Sequence, residues 1–200
     1  MGDAGINYYL DERDKKLKEK ISKYPITLFC IHGNHEERPQ NIKSYILKHT
    51  GYFFYWSEPD YPNIFFAQDG AMSLYGKSFF VLGGAYSIDK YYRLSKGWKW
   101  FEDEQMSLKN RNIFLKWTTS TKSFDYVLSH TAPLSKEPTH LFLANIDQST
   151  VDKSMEEFLE KIKNQIEFKK WFFGHYHSDE IIDDKFRLMY NDIIELDLTK

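Results

Sequence analysis

Hydrophobic positions fall into short, strand-sized runs along this chain. Residues 26–31, Ile-Thr-Leu-Phe-Cys-Ile, form a continuous apolar, β-rich stretch, the pattern of a strand buried on both faces in an α/β sheet. Residues 124–129 and 170–173 read the same way. Between them the pattern shortens to runs at 52–56, 64–67, 71–75 and 77–82, punctuated by Asp69-Gly70 and Tyr75-Gly76-Lys77, which predicts a meander. The polar segment 11–23 carries Leu17, Lys20 and Ile21 at helical spacing with acids ahead of bases, which predicts an exposed helix closed by Tyr24-Pro25. Further helices are predicted at 41–48, at 104–118 and at 152–166. The last has Met155, Phe158, Leu159 and Ile162 on one face, with Ser149, Thr150 or Asp152 as the cap. An irregular aromatic stretch precedes residue 103, and the tail 180–196 predicts two or three short antiparallel strands.

Two hundred residues, 42% hydrophobic and 18% aromatic, suffice for one domain with a substantial core, and 10 Gly with 6 Pro exclude collagen-like or disordered classes. A net charge of -2 supplies no overall basic field, which argues against nucleic acid or anionic lipid as a partner. The apolar runs fall far short of the roughly 20 residues that span a bilayer, and no signal-peptide pattern opens the chain. A cytoplasmic protein is the expectation. The lone Cys30 excludes an internal disulfide and a multi-thiolate metal site. Any metal must therefore use nitrogen and oxygen ligands.

Three apolar strands end in loops that reach Asn or His: Asn34 and His35 after the first, His130 after the second, His175 and His177 after the third. With His32, five of the seven histidines sit at such ends. Ligands of open α/β sheets bind beyond the carboxyl ends of strands, where residues distant in sequence meet. Imidazole, amide oxygen and carboxylate together suit divalent Mn, Fe, Ni or Zn better than Ca or Mg. Singly, Gly174-His175-Tyr176-His177 reads as a surface turn and Gly33-Asn34-His35-Glu36 as a turn with an incidental His. Their order along the chain, each at the end of a β-type run, points to a site.

The ordered set Gly2-Asp3, Gly33-Asn34-His35-Glu36, His130 and Gly174-His175-Tyr176-His177 resembles the calcineurin-like metallophosphoesterase superfamily. Gly83-Gly84-Ala85-Tyr86-Ser87 resembles its bacterial branch. The resemblance implies a four-layered α/β/β/α sandwich and a two-metal hydrolase of phosphate mono- or diesters. It implies that Asp3 bridges both metals, that Asn34, His130 and His175 complete the second, and that His177 ligates the first. His35 then faces the scissile phosphate as acid or charge stabiliser beside the activated hydroxide. Mn is favoured, with Fe, Zn or Ni as alternatives. Glu36 either orients His35 or caps a following helix, the cap being preferred.

One motif of the family is missing. No Asp-x-His lies upstream of Asp3, so the resemblance implies a domain lacking its first strand and following helix, with the first-metal site incomplete. Either the chain is a truncated or mis-started metallophosphoesterase, or it is a short form that has lost one metal site. The first is preferred, because losing a central strand would expose buried-type strands such as 26–31. A small phosphoester or nucleotide is the expected substrate. The alternatives are a non-catalytic metal-binding module of the same fold and a nuclease, the latter disfavoured by the lack of a basic groove. The segment 86–101, with Tyr91, Tyr92, Arg93 and Trp98, is either a covering loop, the preferred reading, or a lid that stacks a base and clamps a phosphate.

Overall fold

The computed structural model describes residues 1–120 and 122–197. Helix α1, Glu12–Ile21, starts where the Asp11 carboxylate accepts the Arg13 N–H at 2.9 Å. It leads into a four-stranded sheet built from β1 (Leu28–Cys30), β2 (Ile46–His49), β3 (Phe54–Ser57) and β4 (Ile64–Ala67), in the spatial order β1-β4-β3-β2. A six-stranded sheet follows from β5 (Gly70–Leu74), β6 (Lys77–Leu82), β7 (Lys122–Ser129), β8 (Ile166–Phe173), β9 (Glu180–Ile181) and β10 (Phe186–Leu188), in the order β5-β6-β7-β8-β10-β9. Strands β6, β7 and β8 run parallel, so their carboxyl ends share one edge. Helices α2 (Lys90–Ser95), α3 (Leu108–Thr118) and α4 (Ser154–Gln165) complete the mixed α/β fold expected from the sequence.

Three apolar clusters hold these elements. Leu17 and Ile21 of α1 pack on Cys30, Ile64 and Phe66 of the first sheet. Phe29, Phe53 and Tyr55 meet Phe79, Val81, Tyr126 and Phe172 where the two sheets face each other. Met155, Phe158, Leu159 and Ile162, the predicted apolar face of α4, pack with Phe80, Val127, Trp171 and Phe173 of the second sheet.

Several local predictions are corrected. The helix expected at 41–48 is instead a 3-10 turn, Pro39–Asn41, followed by β2. Pairing of Ile46 with Ser57 and of His49 with Phe54 overrides the helical spacing of Ile42, Tyr45 and Ile46. The meander is divided between two sheets, β3 and β4 in the first and β5 and β6 in the second. Of the two predicted turns, Tyr75-Gly76 closes a hairpin, whereas Asp69 accepts the Gly83 N–H at 2.7 Å and so ties the crossover to the end of β6. The first strand begins at Leu28, and Ile26 is 56% exposed, because β1 lies at a sheet edge. Helix α3 begins at Leu108 behind the cap Ser107, leaving Glu104 for another use. None of the three caps proposed for α4 is its N-cap, which is Lys153 without a side-chain cap hydrogen bond; Asp152 just before it accepts the Ser154 N–H at 2.9 Å. The tail forms two short strands, with β10 parallel to β8 and antiparallel to β9.

Candidate metal centre

The loops leaving β1, β7 and β8 meet the N-terminal segment at the shared strand end. Their backbones interlock closely enough that side chains at key positions are excluded. A Cβ on Gly33 would stand 2.0 Å from Asp3 Oδ1 and 2.3 Å from its backbone nitrogen. Asp3, His175 and His177 adopt φ of 52°, 72° and 53°, left-handed conformations that non-glycine residues take up only where the surroundings enforce them. Three of the residues singled out from the sequence share this conformation with Asn7, Leu10 and Tyr75.

Four donor groups converge there. Asn34 Oδ1 lies 2.8 Å from His130 Nε2 and 3.1 Å from His175 Nδ1, and Asp3 Oδ2 lies 3.5 Å from His130 Nε2. His130 Nδ1 stands 2.6 Å from the Met1 carbonyl, which only accepts, so Nδ1 carries a proton. In the neutral ring Nε2 then presents a lone pair toward two oxygen lone pairs, so either a second proton on Nε2 or a cation among the donors satisfies the contact. Burial opposes charge on His130, but the Asp3 carboxylate and the Met1 carbonyl together raise its pKa. Burial likewise opposes ionisation of Asp3, yet His130 and His35 hold its carboxyl well below the usual range. His175 is pushed down to about 3 by burial and by His130, so it is neutral and free to ligate.

A polar relay fixes the asparagine. Glu104, 2% exposed, accepts the Ser87 hydroxyl at 2.5 Å, the Ser87 N–H at 3.1 Å and the Trp100 indole N–H at 2.8 Å. The Ser87 oxygen therefore accepts from Asn34 Nδ2 at 2.9 Å, which leaves Oδ1 facing the imidazoles. Beside it, His35 Nε2 lies 3.3 Å from Asn34 Nδ2 and 3.2 Å from Arg93 Nη2. Both neighbours can only donate, so the neutral His35 ring holds its proton on Nδ1.

The family model for calcineurin-like phosphoesterases matches residues 3–179. The chain belongs to the calcineurin-like phosphoesterase family. Comparison with curated proteins and with solved structures gives no match. Membership places the protein among metal-dependent hydrolases of phosphoesters, and no helix among the described residues is long and apolar enough to cross a membrane.

The donor set suits a divalent ion of the phosphoesterase type. Ligand atoms on one metal at about 2.0–2.2 Å stand about 3.0–3.5 Å apart, close to the separations found here. No three His, Cys, Asp or Glu side chains among the described residues form a metal-holding group by themselves. The convergence runs through the Asn34 amide oxygen, the one donor outside those residue types. His177 lines the same cavity of 430 Å³ as Asp3, His130 and His175, but its ring stacks on Tyr190 at 5.1 Å.

Other candidates fall differently. His32 is 4% exposed with neither ring nitrogen hydrogen-bonded, so it belongs to the packing behind the loop. Glu36 neither caps a helix nor orients His35. Fully buried, it accepts the Gly33 backbone N–H at 2.7 Å and so closes the loop that presents Asn34. In the aromatic segment, Tyr91 and Trp98 are exposed, and only Tyr86 and Arg93 among its aromatic and cationic residues line the cavity beside His35. Ser87 and Glu104 went unnoticed as site residues, because a contact across 17 positions leaves no periodic signal.

Proposed function

We propose that the protein hydrolyses small phosphoesters, nucleotides among them, with a divalent ion, Mn favoured, held by Asp3, Asn34, His130 and His175. The observation that carries this reading is the chain of close donor contacts that links all four residues, Asp3 to His130 at 3.5 Å, His130 to Asn34 at 2.8 Å and Asn34 to His175 at 3.1 Å. A divalent ion there supplies a Lewis acid for the phosphoryl oxygen and acidifies water near neutral pH. Toward a first metal this chain offers Asp3 and His177.

The protein's own groups divide the remaining work. Asp3 balances positive charge, and its Oδ1 accepts the His35 backbone N–H at 2.9 Å, which sets the position of that imidazole. His35 lines both cavities beside the cluster and serves the departing ester oxygen, its proton at Nδ1 while Nε2 accepts from Asn34 and Arg93. Positioning these groups in advance is worth more than any single contact.

The test is Mn titration of the metal-free protein by calorimetry, alongside hydrolysis of p-nitrophenyl phosphate and bis-p-nitrophenyl phosphate. One Mn bound per chain and Mn-dependent release of nitrophenol are expected, with both lost in His130→Ala. A protein that binds no Mn contradicts the proposal. The stacking of His177 on Tyr190 favours one rival, a metal-binding module without turnover, whose signature is stoichiometric Mn and no hydrolysis of either ester.

A further inference from the structure

Arg93 is the guanidinium held directly beside this cluster, 3.2 Å from His35. It lies in α2, far in sequence from every metal-ligand candidate, yet its guanidinium is led into the site and held there. Nε donates to Asp89 at 2.7 Å, Nη1 to the Tyr8 hydroxyl at 3.1 Å, and Nη2 lies 3.2 Å from His35 Nε2. Its side chain is only 13% exposed. A guanidinium has five N–H bonds; three are engaged, and two remain for a ligand. Lys153 lines this cavity as well and pairs with Glu137 at 2.6 Å, but as an ammonium it offers a point charge and not a planar fork.

The cavity beyond Arg93 measures 480 Å³. Its lining joins the metal-ligand candidates Asp3, Asn34 and His175 to the apolar side chains Ile88, Leu141, Phe142, Leu143 and Val151, with Phe142 stacked on Tyr176 at 6.2 Å. Of the carboxylates that also line it, Asp89 is bound by Arg93, Glu137 by Lys153 and Glu156 by the Thr131 hydroxyl. Arg93 lines the same space. A phosphate held against Arg93 and the metal-ligand cluster therefore places its organic group along the apolar side chains.

We infer that Arg93 is the phosphate clamp of this site and that the adjoining groove selects monoesters carrying a flat, largely apolar organic group. The assignment rests on the proposed phosphoester reading. A preset guanidinium pairs with two oxygens of one phosphate at once. A monoester dianion offers three free oxygens to share between clamp and metal, and a diester only two. Arg93 thus favours monoesters, while the metal ligands serve either.

Non-hydrolysable phosphonates test this without reliance on turnover. Calorimetry in saturating Mn should show phenylphosphonate binding about tenfold more tightly than methylphosphonate, as burial of one ring predicts. Arg93→Ala should weaken both by about 10- to 100-fold, the range of charge-assisted hydrogen bonds. Arg93→Lys should recover only a small part, since an ammonium lacks the fork. Mn affinity measured alone should be the same in all three proteins. Phosphonate affinity unchanged in Arg93→Ala, or lost only together with Mn, overturns the clamp. Equal affinity for the two phosphonates overturns the groove. Failure of the unmodified protein to bind Mn is a different result, which removes the proposed function and the clamp with it.

Discussion

The Glu104 carboxylate accepts the hydroxyl of Ser87, and that contact decides which end of the Asn34 amide faces the two imidazoles. With its proton committed to Glu104, Ser87 can only accept from Nδ2, and Oδ1 is left among the metal-ligand candidates. Ser87→Ala should therefore loosen the amide without touching any donor. Mn affinity is expected to fall about 10- to 100-fold, the usual effect of removing a group that orients a ligand. Calorimetric titration reads this directly, and an unchanged affinity would show that Asn34 is held by the imidazoles alone.

Gly33 has no room for a side chain. A methyl group at this position meets the Asp3 carboxylate at 2.0 Å and its backbone at 2.3 Å, and a backbone contact cannot rotate away. Gly33→Ala should destabilise the fold by about 1–3 kcal/mol through overpacking and separate Asp3 from Asn34. Urea unfolding and Mn titration should move together. Full stability with normal Mn binding would mean that the two loops can part at no cost.

Much of the candidate centre was legible in the chain because its parts follow apolar, β-rich runs: Asn34, His130 and His175 come after β1, β7 and β8. What escaped was non-local. Residues 41–48 carry apolar positions at helical spacing, and only the partner strand at Phe54–Ser57 decides that Ile46–His49 is extended. The runs at 52–82 look alike, yet they divide between two sheets because Asp69 is bound to Gly83 and Arg38. Glu36 sits where a helix cap is expected, but no α-helix follows it, and its side chain turns inward to the Gly33 N–H. Ser87 belongs to a segment that resembles the family, but its partnership with Glu104 across 17 positions exists only once the chain has folded.

Glu156 couples stability to pH. It is 4% exposed, and burial lifts its carboxyl to about 7 against the Thr131 hydroxyl that accompanies it at 2.8 Å. The folded state therefore prefers the protonated acid. Below the unfolded value of 4.5 both states are protonated and no penalty arises. As pH rises from there the unfolded chain ionises first, so stability falls until about pH 7, where the full cost is reached. The total is about 3 kcal/mol. Glu156→Gln should flatten this decline and melt higher than the unmodified protein above pH 7. Parallel slopes between pH 5 and 8 would show that Glu156 ionises in the folded protein without hindrance.

His35 separates an enzyme from a binding module. Its ring lies beside the donor cluster, while its contribution to Asp3 is made by the backbone N–H at 2.9 Å, which any replacement retains. His35→Asn should therefore leave Mn affinity within about twofold of normal, because no donor atom is removed. Loss of a positioned acid typically costs 10²- to 10⁴-fold, and kcat toward p-nitrophenyl phosphate should fall within about that range. The loss should be smaller when the leaving phenol is more acidic, since a better leaving group needs less protonation. An equal loss across phenols of different acidity would assign His35 to holding the phosphate alongside Arg93, whose Nη2 is 3.2 Å from its Nε2, and remove it from proton transfer.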